Sequence, residues 1–362
     1  MQIVSNTTPF FAECFVSTDK HGQKHCVVVV KATFDVAPDG QCTPAQDRIP
    51  FVYVDQQYGD PARKTVACES DFAPLKPRID VLLHGFAIAP GNKEVTSLRV
   101  DFAGPGFRKS AIVTGDRTWI RSGAGLRASA PQAFHSMPLS WDRAFGGIDD
   151  THADIGKHGS ELRNPAGVGF HLNKQPDSIL GRFLPNIEKE GAQMRSWQDK
   201  PEPIGFAAVG RGWQPHIGFG GTYDQRWREQ RCPFLPEDFD SRYFQSAPAD
   251  QQLRELPAAA RFTCSNMGSD GLFIAETPAF EVPVRFRFEQ RSEEALVVAD
   301  TVIIEPNRAK LILLGRTSIA LPRKLSLLRE IHVGARPILG GKPHFTNLAE
   351  LVAFQRRERS AR

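Results

Sequence analysis

A chain of 362 residues can bury a sizeable core and fits one large domain, two ordinary ones or a few β modules. Its formal charge of +4, from 45 Lys and Arg against 41 Asp and Glu, has no long basic run outside the C-terminal tail, which argues against nucleic acid as a partner. The six cysteines, Cys14, Cys26, Cys42, Cys68, Cys232 and Cys264, contain no C-x-x-C pair and so suggest neither a zinc ribbon nor a disulfide framework.

Thirty Gly, 27 Pro and 25 Phe point away from a helical bundle and toward many short strands joined by turns. The start of the chain lacks the charged and apolar regions of a signal peptide, and no apolar run approaches membrane-spanning length. With the cysteine usage this leads us to expect a soluble, cytoplasmic protein with no membrane partner.

The run 26–36, CVVVVKATFDV, passes from β-branched residues into alternation and ends at the turn signal Ala37-Pro38-Asp39-Gly40. Strands are also expected over 80–89, 94–102 and 109–119, spaced as in an antiparallel meander, so residues 1–130 read as an N-terminal β module of sandwich or half-barrel type. His84 falls within one of these apolar runs and reads as a hydrogen-bonded core histidine. From 131 to 253 periodicity fades, and aromatic-rich motifs such as Trp141-Asp142-Arg143-Ala144-Phe145-Gly146-Gly147 and Asn164-Pro165-Ala166-Gly167-Val168-Gly169-Phe170 take over. This is a loop-rich central region packed on the β modules. Within it, 203–213 predicts a short apolar strand with glycines where another backbone comes close.

Strand signals return at 261–264, 271–274 and 282–288, the last alternating enough for one wet face. The runs 295–304 and 310–314 flank a turn and predict a hairpin, which makes 254–345 a C-terminal β module. A capped amphipathic helix from Asn347 and a charged tail occupy 346–362. The fold expected is mainly β, with antiparallel sandwich or barrel-like modules, a long loop-rich centre and a short C-terminal helix.

The stretch 218–253 concentrates aromatic, Arg, Asp and Pro residues as no other does. Thr222 and Gln225 have capping-box spacing, with Asp224 in the first helical turn, Arg228 and Arg231 near its end, and Pro233 stopping it. Tyr223 and Trp227 share one face. An acidic and aromatic loop follows, with Asp238 and Asp240 among Phe239, Tyr243 and Phe244. Two readings stand side by side: a satellite core with internal ion pairs, in which Phe239 and Phe244 are buried, or a recognition surface, since Trp, Tyr and Arg dominate binding hot spots. For the second, the candidate contact residues are Trp213, Tyr223, Arg226, Trp227, Arg228, Arg231, Asp238, Asp240, Arg242, Tyr243 and Gln251.

Familiar catalytic motifs do not occur in the sequence: there is no phosphate-cradling glycine loop, nucleophile elbow or H-E-x-x-H pattern. His152, Asp154 and His158 are the best metal candidates, but Gly156 and Gly159 make an exposed polar turn the better reading. Cys232 beside Arg231 is a weak nucleophile candidate, with Pro233 and Phe234 favouring its burial. No catalytic residue, metal or cofactor is assigned.

Over nearly its whole length the chain resembles the bacterial proteins carrying domain of unknown function 2169, which occur in type VI secretion gene clusters. The resemblance rests on Asn6-Thr7-Thr8-Pro9-Phe10, the 28–34 strand, Glu69-Ser70-Asp71 with Lys76-Pro77, Gly115 to Trp119, and the central motifs. Its best marked part is Pro236-Glu237-Asp238-Phe239-Asp240-Ser241-Arg242-Tyr243-Phe244 with Ala247-Pro248-Ala249-Asp250-Gln251-Gln252. The pattern departs most over 254–260. The resemblance implies a non-catalytic accessory protein, an adaptor or chaperone that binds a secreted effector and helps load it onto the spike-tip (VgrG/PAAR-type) proteins. A hydrolase-like enzyme using polar groups of the central loops is the alternative. A sugar-binding sandwich is a third, weakened by the cytoplasmic reading. The oligomeric state is left open.

Overall fold

The computed structural model describes residues 2–58, 65–123, 125–173, 175–268, 271–322 and 327–334. The expected C-terminal helix at 347 and the tail after it lie outside these residues. The chain is mainly β, and the expected hairpin forms from Ser292–Glu305 and Lys310–Ala320 around a tight turn at Pro306–Arg308.

Among the described residues the largest sheet has ten strands. Its main path runs Ile3–Asn6, Leu328–Val333, Glu281–Phe288, Ser292–Glu305, Lys310–Ala320, Lys24–Val36 and Phe11–Thr18. The path begins and ends with strands consecutive in sequence, which gives it its nearly barrel-like form. Lys24–Val36 lies between two partners, and from Cys26 to Phe34 every residue is buried, which is why Cys26 to Val30 is continuously apolar and why Lys31 and Thr33 are buried too. Glu281–Phe288 alternates, with its even positions buried and its odd ones half-buried or exposed. A second sheet of five strands runs Ile187–Lys189, Phe107–Thr114, Ser97–Gly104, Arg261–Ser265 and Leu272–Glu276.

Both sheets cross the boundaries expected from sequence. Lys24–Val36 pairs with Lys310–Ala320, and Ser97–Gly104 pairs with Arg261–Ser265, so strands from 1–130 and 254–345 share each sheet. The pairing is not purely antiparallel either: Ile3–Asn6 with Leu328–Val333, and Ile79–Leu83 with Ser292–Glu305, run parallel. The register of Ser292–Glu305 shifts between Ala299 and Thr301. Before the shift it pairs with Glu281–Phe288, and after it Ile79–Leu83 takes over that edge. A register irregularity is how a long strand changes neighbours.

The central region builds a second, small core from Phe145, Phe170, Ile179, Leu184 and Met194 around Trp119 of the N-terminal part. Its two glycine-rich motifs pair directly, Phe145–Gly146 lying parallel to Val168–Gly169. Buried Asn164 holds them together, its side-chain amide donating to Trp141 O at 2.8 Å and Phe145 O at 2.9 Å. The expected strand at 203–213 is instead an irregular buried segment, bonded to its neighbours through Leu83 N to Phe206 O and Val209 N to Ser246 O. Its glycines admit rings rather than backbone: a Cβ on Gly205 would stand 2.5 Å from the Trp141 indole, and one on Gly210 2.8 Å from that of Trp213.

Candidate functional site

The 218–253 stretch folds as a clamped arm. Its short helix is Gln225–Gln230, and its cap is Asp224 rather than Thr222: the Asp224 carboxylate accepts from Trp227 N at 2.8 Å. Thr222 is drawn elsewhere, its amide (3.0 Å) and hydroxyl (2.7 Å) donating to Asp238. These bonds hold the Asp238 carboxyl below the usual range. Asp240 caps the turn Ser241–Phe244 and takes a forked pair of bonds from Arg242, which also holds its pKa down. The Arg242 guanidinium lies 4.3 Å over the Phe219 ring.

The C-terminal end of the arm is fixed by buried polar bonds. Asp80, fully buried on the Ile79–Leu83 strand, accepts from Gln245 Nε2 (2.6 Å), Ser246 N (2.9 Å), Ser246 Oγ (3.1 Å) and Ala247 N (3.1 Å). Lys76 Nζ supplies the charge, 2.7 Å from both Asp80 and Glu69. Burial alone pulls the Lys76 ammonium down, yet the two carboxylates outweigh it and hold its pKa above the ordinary lysine value. Gln251 completes the buckle, donating to Val81 O and Phe206 O and accepting from Lys109 Nζ.

These bonds sort the sequence candidates. Trp213 is buried edge-on against Trp141, and Gln251 has no exposed surface, so both belong to the interior and neither reaches a partner. Arg231 is spent as a strap, donating to Lys20 O and to Leu235 O. Asp238, Asp240 and Arg242 are engaged within the arm. Phe239 is buried, while Phe244 and Tyr243 are half-buried and pack on it. Trp227 is half-buried, its indole donating to Phe234 O at 2.8 Å, with the Tyr223 ring edge-on at 4.7 Å. That leaves Tyr223, 56% exposed just before the helix cap, with Arg226 and Arg228 exposed on the short helix itself.

Two concave surfaces flank the arm. One, about 810 Å³, lies between the arm and the hairpin that links Phe11–Thr18 to Lys24–Val36. Phe15, Phe72, Phe239 and Phe244 form its apolar lining. The other, about 840 Å³, is bordered by residues 254–259 and by 276–281, with Lys76 and Asp300 among its walls. Burial pushes the Asp300 carboxyl above the usual range although Arg316, 2.8 Å away, and Lys76 oppose it. Residues 254–259 thus form one side of this second cleft. Composition gave no signal for either cleft, because the residues that form them come from separate parts of the chain.

The metal candidates turn inward on their own loop. His152 Nδ1 accepts from Asp154 N, Asp154 accepts from Gly156 N, and His158 Nε2 bonds to His152 O at 2.7 Å. Cys232 is exposed rather than buried, and Phe234 beside it is 43% exposed, because the chain turns out to the groove there. His84 sits at the end of its strand with Nδ1 3.7 Å from Glu305. Among the described residues no helix is long and apolar enough to cross a membrane.

No curated protein and no solved structure matches the chain. A family model does, across most of its length and through the whole arm. The chain belongs to the family described as uncharacterized protein conserved in bacteria, DUF2169, whose model it matches over residues 21–316.

Proposed function

We propose that this is a non-catalytic adaptor of a type VI secretion system, which binds a secreted effector and helps load it onto a spike-tip protein of VgrG/PAAR type in the cytoplasm. One observation carries the reading: the arm is held by buried bonds to Asp80 and Gln251 while Tyr223, Arg226 and Arg228 face solvent on it. A recognition surface needs such anchors on a preorganised backbone, which reduces the ordering cost of binding. The side chains of the best metal candidates, His152, Asp154 and His158, are spent on bonds within their own turn, which disfavours the use of that turn by the hydrolase alternative.

The test is co-purification with the products of neighbouring genes. Tyr223→Ala, Arg226→Ala and Arg228→Ala should each leave the melting temperature near wild type, and at least one should weaken capture of an effector or spike protein. If no neighbour is captured the adaptor reading fails; if capture falls only in proportion to lost stability, the arm is scaffold and the recognition surface lies elsewhere.

A further inference from the structure

We infer that the groove between the hairpin and the arm is the docking site for a segment of the partner protein that carries large apolar side chains flanked by carboxylates. The inference deepens the adaptor reading and rests on it. The groove is preformed. Arg231 ties the arm to the hairpin through Lys20 O and to itself through Leu235 O, and Gly22 admits the Phe234 ring, which a Cβ there would approach to 3.2 Å. Its volume of about 810 Å³ accommodates several side chains.

The lining sets the first half of the partner's chemistry. Beneath lie Phe15 and Phe72, edge-on at 5.6 Å, and Phe239. Around them Val16, Leu75 and Phe234 remain 44%, 46% and 43% exposed, so apolar surface faces water on three sides of one depression. Tyr53, 62% exposed, stacks on Phe72 and extends the apolar surface beyond the rim.

Charge sets the second half. Asp19, the carboxylate of the hairpin tip, is already satisfied by His21 N, Gln23 N and His25 Nε2. Asp240 is taken by Arg242. Lys20 and Lys24, both lining the groove, form no salt bridge among the described residues; Lys20 acts on Asp240 only through its field. The lining therefore sets two lysines, Lys20 and Lys24, against the single carboxylate of Asp19, a net positive edge beside an apolar floor, and the complement is an acidic, apolar segment.

The test uses two fluorescein-labelled dodecapeptides with Leu and Phe at the same positions, one interspersed with Glu and Asp and the other with Lys and Arg. The full-length protein should bind the acidic peptide at least about tenfold more tightly. Phe234→Asp and Leu75→Asp should abolish binding, and Leu75→Asp, at a position 46% exposed, should do so with the melting temperature near wild type. Lys20→Glu with Lys24→Glu should reverse the preference. Equal binding of the two peptides, or binding unchanged in Phe234→Asp, overturns the inference. So does self-association lost in that variant, which would place a second copy in the groove.

The outcomes for the two readings separate. A partner whose capture is weakened by Tyr223→Ala and untouched by Phe234→Asp removes the groove and keeps the adaptor. Peptide binding lost in Phe234→Asp, with no partner captured, keeps the groove and removes the adaptor.

Discussion

Lys76 Nζ stands 2.7 Å from Asp80 Oδ2 in the interior, and this pair joins the ten-stranded sheet to the arm at 245–247. A buried pair does not of itself add stability over an apolar one, but removing one partner strands the other charge. Asp80→Ala should therefore lower the unfolding free energy by about 3–5 kcal/mol in urea titration, and Lys76→Met by a similar amount. A loss below about 1 kcal/mol would mean that the arm is held by other contacts.

Phe239 and Tyr223 should separate scaffold from surface. Phe239→Ala removes a buried ring that packs on Tyr243 and Phe244 and should cost about 3–5 kcal/mol. Tyr223→Ala removes an exposed ring that packs edge-on against Trp227, and should cost under about 1 kcal/mol. Thermal melting of the two variants side by side checks both. Half-buried Phe244 should fall between them.

Gly146 is required by two separate constraints. Its φ of +149° lies where side chains are strained, and a Cβ would stand 2.1 Å from Asn164 O in the paired motif. Gly146→Ala should destabilise by more than about 2 kcal/mol, with the Trp119 to Met194 core loosening first. Near-UV circular dichroism and melting report it. Gly91→Ala, at a positive φ with nothing within 4 Å of the added carbon, carries backbone strain alone and should cost less.

The strands were legible where one rule dominated. The Cys26 to Phe34 run and the alternating Glu281–Phe288 strand announce their two burial patterns directly. Which strands pair was not legible, since both sheets join residues more than 150 positions apart and periodicity has no term for partners. In the arm, Tyr223 against Trp227 followed from helical spacing, but the cap did not: Asp238, sixteen residues on, claims Thr222 and leaves Asp224 to cap. Gln251 and Trp213 looked like contact residues because composition cannot distinguish a polar or aromatic anchor facing inward from one facing out. The glycines at 205 and 210 marked close approach correctly but not by what, because an indole and a backbone leave the same requirement for a missing Cβ.

His171 predicts how the fold responds to acid. Its ring is buried, and burial is the main reason its pKa falls to about 4; Asp149 opposes the shift and Arg182 adds to it. Burial also lowers His216. Unfolded histidine titrates near 6.5, so between about pH 6.5 and 4 the unfolded chain binds a proton that the folded chain refuses. The His171 contribution is therefore fully present above about pH 6.5 and is lost as pH falls through 4, up to about 3 kcal/mol in all. Asp149, held below the usual range by bonds from Thr151, Leu172 and Asn173, stays ionised across this window, so its own loss comes at lower pH. Urea midpoints measured from pH 7 to pH 4.5 should decline steadily. In His171→Gln, which cannot gain the proton, the decline should be shallower, with His216 adding to the remainder and Asp300, whose pKa burial raises, opposing it. A slope identical to wild type would mean that water reaches the ring and that its pKa is near the ordinary histidine value.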